Sequence, residues 1–182
     1  MSVKIAALVG KHFGAIQGST TAEMRQEIDR YAGILAAAAG NPYSGKKLFA
    51  ANCGKCHTLF GEGGQVGPDI TGANRGSLDY LLENVLDPSA VIPKEYAVTR
   101  LTLTSGRVVM GIVKGETAAA LTVVTANETL TVPRGEVESR EPSDVSMMPD
   151  DLLKPLSDAE VRALFAYLQS PKQVPLPPGA KP

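Results

Sequence analysis

The spacing of apolar residues predicts a helix near the start of the chain, and we interpret residues 1–40 as an N-terminal helical extension. Thr20 and Glu23 have the T-x-x-E spacing of a capping box, and a Gly-Asn-Pro sequence at 40–42 ends the helix. Between these signals one apolar stripe recurs at helical spacing: Met24, Ile28, Tyr31 and Leu35. The stripe predicts that this extension packs on another part of the protein.

Two further helices are predicted on either side of a glycine-rich loop. Ser44 is the predicted N-cap of a short helix that runs into Cys53. Residues 61–76 contain six glycines and form the loop. The next helix begins at Ser77, carries apolar residues at i, i+3, i+4 and i+7, and is closed by Pro88.

The pattern changes period over residues 96–140, which are rich in Val, Thr and Leu. Four short apolar runs are separated by turn residues at 105–106, 114–116 and 126–128, and a fifth run lies near Val137. Short strands joined by such turns predict a small antiparallel sheet or barrel. We interpret this segment as a β-rich insertion between helical parts.

The chain returns to helix near its end and finishes in a proline-rich tail. Ser157 and Glu160 form a second capping box, and Leu156 with Val161 has the spacing of the matching hydrophobic staple. Residues 171–182 contain five prolines, which predicts an extended, loosely held tail.

Composition excludes several classes of protein. The 182 residues are 43% apolar, which is enough for a packed core and excludes general disorder. A net charge of −1 leaves no excess of Lys and Arg for nucleic-acid binding by bulk electrostatics. The sequence has no run of about eighteen or more apolar residues, so it predicts no membrane span. Only 5% of the residues are aromatic, so aliphatic side chains, or a group that the sequence does not encode, must fill the core.

The two cysteines of the chain carry the most specific chemical signal. Cys53-Gly54-Lys55-Cys56-His57 is the C-x-x-C-H pattern of c-type haem attachment. Two thiols three residues apart on a helical turn reach the two vinyl groups on one side of a haem, and each forms a thioether. His57 then lies under the porphyrin and offers one ring nitrogen to the iron. One covalent haem c is therefore the predicted cofactor.

Two other interpretations of C-x-x-C lack their required partners. A thioredoxin-like redox pair needs a βαβ setting, whereas here a predicted helix precedes the motif and a glycine-rich loop follows it. A structural zinc site needs four ligands, and outside the motif the sequence has no further Cys and only one further histidine, His12.

The residues around the motif resemble a class I cytochrome c. The resemblance rests on Ser44-Gly45-Lys46-Lys47-Leu48-Phe49, Gly67-Pro68-Asp69, a late Met-Pro pair and Leu164-Phe165-Ala166-Tyr167-Leu168 in the terminal helix. It covers about residues 43–95 and 141–170. It implies a mainly α cytochrome c fold over residues 41–170, interrupted by the insertion at 96–140. It also implies that Gly45 and Phe49 cross the terminal helix near Leu164 and Tyr167.

The resemblance further implies how His57 is held as a ligand of the iron. The carbonyl of Pro68 would accept a hydrogen bond from the other ring nitrogen of His57 and tune its donor strength. Gly67 and Phe49 belong to the same haem environment. On loop composition alone, Gly67-Pro68 is a plain turn, and that alternative stays open.

A methionine is the expected sixth ligand of the iron. Met148 directly precedes Pro149, as the family pattern requires, and is favoured, with Met147 as the fallback. Met110 and His12 stay open as alternatives, because thioether and imidazole groups both serve in cytochromes.

Over nearly its whole length the chain also resembles the haem-binding domain typical of planctomycete and verrucomicrobial proteins. There the domain forms the C-terminal part of large exported dehydrogenase-like proteins. The resemblance implies one-electron transfer without catalysis by the chain itself, and redox partner proteins or a fused dehydrogenase domain as partners. The alternative is a haem-based ligand-binding, sensor or peroxidase-like domain with a labile methionine ligand. No signal peptide is recognisable, so we expect a fragment of a protein that works in the periplasm or elsewhere outside the cytoplasmic membrane.

Overall fold

The chain divides into a helical unit and a β-rich unit, and each is built from two separate stretches of sequence. The computed structural model describes residues 15–16 and 21–175. Of the described residues, 15–16 and 88–149 form the β-rich unit, and 21–87 and 150–175 form the helical unit. None of the helices in the described ranges is both long and apolar enough to cross a membrane.

In chain order the described elements are β1 (Ala15–Ile16), α1 (Ala22–Ala37), α2 (Pro42–Asn52), β2 (Thr58–Leu59), β3 (Glu62–Gly63), α3 (Leu78–Leu86), β4 (Val91–Ile92), β5 (Thr99–Leu103), β6 (Val108–Glu116), β7 (Ala120–Val124), β8 (Thr129–Pro133), β9 (Val137–Pro142) and α4 (Asp158–Leu168). Two single turns of 3₁₀-helix, Lys94–Tyr96 and Arg134–Glu136, lie before β5 and before β9.

Side-chain caps set the starts of the helices, and two of these caps differ from the predicted ones. Thr21, not Thr20, caps α1, and its hydroxyl accepts a hydrogen bond from a first-turn backbone N–H (3.2 Å). Asn41, not Ser44, caps α2, and its Oδ1 accepts from two first-turn N–H groups (2.9 and 3.4 Å). Pro42 takes the first helical position, where a missing N–H costs no hydrogen bond. The helix therefore starts earlier than Ser44.

The predicted starts of the other two helices are confirmed. Ser77 caps α3 by accepting a hydrogen bond from the N–H of Tyr80 (3.3 Å). Ser157 and Glu160 form the predicted capping box of α4, in which the Glu160 carboxylate accepts from the Ser157 N–H (2.8 Å). The Ser157 hydroxyl also donates to this carboxylate (2.7 Å). The hydroxyl hydrogen bond, and to a smaller extent the one from the N–H, holds the pKa of Glu160 below its usual value.

One apolar core fills the helical unit and includes the N-terminal helix α1. Tyr31 of the predicted stripe is buried, and Met24, Ile28 and Leu35 pack against the same core. The other buried members are Phe49, Leu59, Leu81, Leu82, Leu86, Leu153, Val161, Leu164, Phe165, Tyr167 and Leu168. Helix α1 packs on both α3 and α4, so the predicted packing of its apolar stripe on another part of the protein is confirmed.

Helices α2 and α4 cross at Gly45, as the resemblance implied. A Cβ atom on Gly45 would overlap the backbone carbonyl of Ala163 and would lie 2.8 Å from the Cβ of Tyr167. One turn later the rings of Phe49 and Tyr167 are in contact, with centroids 5.6 Å apart. The missing side chain of Gly45 therefore sets how closely the two helices approach.

The β-rich unit contains an antiparallel five-stranded sheet in the order β8-β7-β6-β5-β9. Strands β8 and β9 lie at its edges, so of the two predicted forms it is the open sheet. The predicted turn at 114–116 is wrong, because β6 continues to Glu116 through a bulge between Val113 and Gly115. The core of the sheet consists of Leu101, Leu103, Val109, Leu121, Val123 and Val132.

Two segments outside the main elements also differ from the sequence-based expectation. Residues 15–16 were expected to be helical, but they form strand β1, which pairs antiparallel with β4. In the tail, Gln173 accepts a hydrogen bond from the Tyr167 hydroxyl (3.0 Å), and the Val174 carbonyl accepts one from Lys46 (3.4 Å). The beginning of the tail is thus held on the helical unit, and residues 176–182 lie outside the described residues.

Candidate haem-attachment site

The three residues of the C-x-x-C-H signal project from one tight turn at the end of helix α2. Cys53 is the C-cap of the helix, and its N–H donates to the Phe49 carbonyl (2.8 Å). The N–H groups of Cys56 and His57 both donate back to the Cys53 carbonyl (3.1 and 2.9 Å). Both cysteines are half-buried and neither forms a disulfide. The fold therefore presents two thiols and an imidazole on one turn of the chain.

The environment of the two thiols argues against a thioredoxin-like redox pair. Burial, and to a smaller extent the neighbouring Cys56, raises the pKa of the Cys53 thiol to about 12. Redox-active cysteines have a lowered pKa, often at the N-terminus of a helix. Cys53 instead stands at a helix C-terminus, where the partial negative charge disfavours a thiolate. At neutral pH Cys53 is a neutral thiol.

A zinc site also finds no support in the structure. In the part of the chain that the structure describes, no three side chains of His, Cys, Asp or Glu come together in an arrangement that could hold a metal ion. The motif itself supplies two thiols and one imidazole, one ligand short of the four that a structural zinc site needs.

His57 is oriented by the loop that follows the motif. Its Nδ1 lies 3.0 Å from the carbonyl oxygen of Pro68. A carbonyl can only accept, so Nδ1 carries the proton and donates, and in a neutral imidazole Nε2 keeps its lone pair. The ring packs against Gly67, where a Cβ atom would lie 2.8 Å from His57 Cε1. Gly67 and Pro68 together select a tautomer whose free nitrogen can bind a metal.

The glycine-rich loop lies directly on the backbone of the motif. The N–H of Gly64 donates to the Gly54 carbonyl and that of Gly67 donates to the Cys56 carbonyl, both at 2.8 Å. A Cβ atom on Gly63 would overlap the His57 carbonyl, and Gly63 also has a φ of +122°, which favours glycine. The sequence indicated a loop here, but it did not indicate that these glycines allow backbone contact with the motif.

Two further residues near the site were missed by the sequence analysis. Thr71 accepts a hydrogen bond from the N–H of Phe60 (2.8 Å), and Arg75 is buried, with 8% of its surface exposed. Arg75 lies near the end of the glycine-rich loop, in a segment whose residues look like those of any surface turn. No local signal in the sequence distinguishes it from a solvent-exposed arginine.

The candidate methionines lie in the β-rich unit. Met147 and Met148 are half-buried, and the N–H of Met148 donates to the hydroxyl of Ser146 (3.1 Å). The N–H of Ser146 in turn donates to the hydroxyl of Ser89 (3.0 Å), so the loop is tied to the segment after α3. Met110 is half exposed on β6. His12 lies outside the described residues, and the choice of Met148 stays a prediction.

The predicted Phe49 contact with the cofactor also stays a prediction. Phe49 has only 3% of its surface exposed, and its ring packs on Tyr167 at the crossing of α2 and α4. It lies one turn before Cys53, so it supports the helix that ends in the motif.

The chemistry of these groups fits a covalently held haem. Two thiols are spaced for two thioether bonds, and an oriented imidazole with a free Nε2 adjoins them. A search of curated proteins finds no match to the chain. The family model described as cytochrome c matches residues 43–95, which contain the motif, the glycine-rich loop and helix α3. This match supports a c-type cytochrome, and with it haem-based electron transfer.

Proposed function

We propose that the chain is a one-electron carrier with a single haem c attached through Cys53 and Cys56, and with His57 and Met148 as axial ligands. The observation that carries the proposal is the 3.0 Å contact between His57 Nδ1 and the Pro68 carbonyl, within a C-x-x-C-H turn. Such a contact fixes the tautomer of a metal-binding histidine and raises its basicity. A solvated surface histidine needs no such arrangement.

The residues of the chain would perform three tasks around the bound group. Cys53 and Cys56 would anchor it, and the turn that carries them would place His57 at a fixed angle. Pro68 and Gly67 would keep the imidazole from rotating. When bound, haem c supplies an iron whose charge changes by one, and methionine ligation raises its reduction potential. A rigid imidazole keeps the rearrangement of the site small when that charge changes.

The test of attachment is a haem stain after denaturing electrophoresis, because only covalent haem survives denaturation. The chain would be exported with an added signal peptide in a bacterial host that attaches haem c. We expect a stained band for the wild type and for Ser44→Ala, which is the control because Ser44 lies in α2 away from the motif. Cys53→Ala with Cys56→Ala should give an unstained band. A stained double variant, or an unstained wild type, would contradict the proposal.

The sixth ligand is tested by absorption spectra with and without carbon monoxide. Met148→Ala should give a ferrous protein that binds the gas, whereas the wild type should stay six-coordinate and bind none. Met147→Ala, Met110→Ala and His12→Ala are the matched controls, and each should behave like the wild type. A wild type that binds the gas readily would favour a ligand-binding, sensor or peroxidase-like domain instead.

We also propose that the carrier works outside the cytoplasmic membrane, as the electron-accepting domain of an exported dehydrogenase or as the partner of one. The support is the resemblance over nearly the whole chain to haem-binding domains of that kind. Reduction of the holoprotein by a purified exported dehydrogenase of that kind, followed by stopped-flow absorption, is the direct test. Absence of transfer at any ionic strength would contradict this assignment.

A further inference from the structure

Arg75 is the only buried charged residue among those that the structure describes. None of the ion pairs in the described residues involves it. Burial of a charge is unfavourable unless hydrogen bonds replace the lost water. The partners of its guanidinium therefore indicate what Arg75 does.

All the hydrogen-bond acceptors of Arg75 are backbone carbonyls, and they lie on two different segments. Nη1 donates to the carbonyls of Leu168 and Ser170 (2.9 Å to Ser170), at the end of helix α4. Nε and Nη2 both donate to the carbonyl of Thr71 (3.3 and 3.0 Å). The partial negative charge at the C-terminus of a helix suits a cation. Arg75 thus ties the loop at Thr71 to the end of α4.

The loop segment that Arg75 holds is the one that contacts His57. Thr71 accepts from the N–H of Phe60 (2.8 Å), and the N–H of Ile70 donates to the Thr58 carbonyl (2.9 Å). Residues 68–71 therefore lie alongside residues 57–60, with the Pro68–His57 hydrogen bond at one end. Arg75 acts at the other end.

Phe60 shows that this arrangement is under constraint. Its φ of +54° is in the left-handed region, which a bulky residue adopts only when its surroundings hold it there. Thr71 binds its N–H, and the guanidinium of Arg75 lies over its ring, 4.8 Å from the centroid. If Arg75 released Thr71, both restraints on Phe60 would weaken.

We propose that Arg75 is a positioning residue for the hydrogen bond between His57 and the Pro68 carbonyl. It holds the carbonyl of Thr71 on the end of α4, and residues 68–71 then keep Pro68 at hydrogen-bond distance from Nδ1. Its effect on the iron rests on the proposed function. A weaker hydrogen bond from Nδ1 makes the imidazole a poorer donor, so the reduction potential should rise.

Arg75→Lys tests this inference, because it keeps the charge but loses the planar fork of donors. Thr71→Val is the second variant, since it removes the acceptor of the Phe60 N–H without changing charge. The first readout is the exchange of the His57 Nδ1 proton with solvent, followed by NMR of the purified protein, in the reduced state where it carries haem. The second is the reduction potential. Arg25→Lys, at an exposed position, controls for the replacement of an arginine by a lysine as such. Ser157→Ala controls for a general loss of stability.

We expect both test variants to exchange the Nδ1 proton about tenfold faster, the factor that one hydrogen bond provides, and to have a raised potential. Both controls should leave the exchange rate and the potential unchanged. Unchanged exchange in Arg75→Lys and Thr71→Val would overturn the inference, as would an equal change in Ser157→Ala. If the wild type carries no haem, the proposed function fails, but the exchange rates still decide whether Arg75 positions His57.

Discussion

Gly45 provides a direct test of the crossing between helices α2 and α4, because Gly33 offers a matched control. A Cβ atom on Gly45 would overlap the Ala163 carbonyl and approach Tyr167 Cβ to 2.8 Å. Gly33 is exposed in α1, and no heavy atom lies within 4 Å of the Cβ position there. Both glycines lie inside helices, so replacement by Ala improves the helix propensity by about 1 kcal/mol at either position. The two variants differ in whether the new methyl group has room.

The expected changes in the free energy of unfolding follow from this difference. Overpacking a core costs about 1–3 kcal/mol, and the upper end applies at Gly45 because a backbone carbonyl cannot rotate away. After the gain in propensity, Gly45→Ala should lower the free energy of unfolding by about 2 kcal/mol. Gly33→Ala should raise it by about 1 kcal/mol. For a chain of this size the corresponding changes in Tm are roughly 4–8 °C downward and 2–4 °C upward.

Urea unfolding of the holoprotein, followed by far-ultraviolet circular dichroism, measures both free energies, and calorimetry measures both Tm values. The slope of the free energy of unfolding against urea concentration should be the same in the wild type and both variants. An equal slope shows that the substitutions change stability and not the surface exposed on unfolding. A Gly45→Ala protein as stable as Gly33→Ala would refute the reasoning, since α2 and α4 would then separate at no cost.

Three further predictions follow from the caps, the charges and the cofactor. Ser157→Ala should lower the stability of the helical unit by about 1 kcal/mol in urea unfolding, because it removes the N-cap of α4, and Ser157→Thr should retain most of it. Hydrogen bonds from Arg140, and to a smaller extent from Arg134, hold the pKa of the Glu116 carboxyl below its usual value of 4.5. The stability that this carboxylate contributes is therefore present above that pH and is lost as the pH falls through the lowered pKa. Glu116→Gln should therefore make the stability of the sheet less dependent on pH below about 4.5. A variant whose stability falls with pH as steeply as that of the wild type in this range would contradict the prediction. Cys53→Ala with Cys56→Ala should speed amide exchange in α2 and the glycine-rich loop, since loss of a cofactor destabilises the native state that binds it, and unchanged exchange there would contradict the prediction.

The helix caps show which parts of the fold could be predicted from local signals. Ser157 and Glu160 are three residues apart and form their box within one turn, so the sequence contains everything that the cap needs. Asn41 was missed because the Gly-Asn-Pro sequence at 40–42 was interpreted as the end of α1, whereas α1 already ends at Ala37 and Asn41 begins the next helix. A propensity rule assigns such a residue to a single role.

Strand boundaries depended on partners that local signals do not reveal. Gly115 stands in a Lys-Gly-Glu sequence, which is typical of a turn, yet β6 continues through it as a bulge. The pairing of β6 with β7 decides between these outcomes, because the two strands stay paired on both sides of the bulge, where their register shifts. Residues 15–16 form a strand only because β4 lies beside them. Sequence periodicity cannot supply either partner.

At the candidate site, predictability falls with the distance along the chain between contacting residues. Cys53 and His57 lie on one turn, and the motif alone places them together. The His57–Pro68 contact joins residues 11 positions apart, and only the resemblance to a family indicated it. Arg75 binds carbonyls 93 and 95 positions away, which become acceptors only when α4 has docked. Since a buried guanidinium needs those carbonyls, no spacing rule could identify Arg75 before the fold was known. The motif reveals which atoms would bind the haem, whereas the residues that hold those atoms in place come from tertiary contacts.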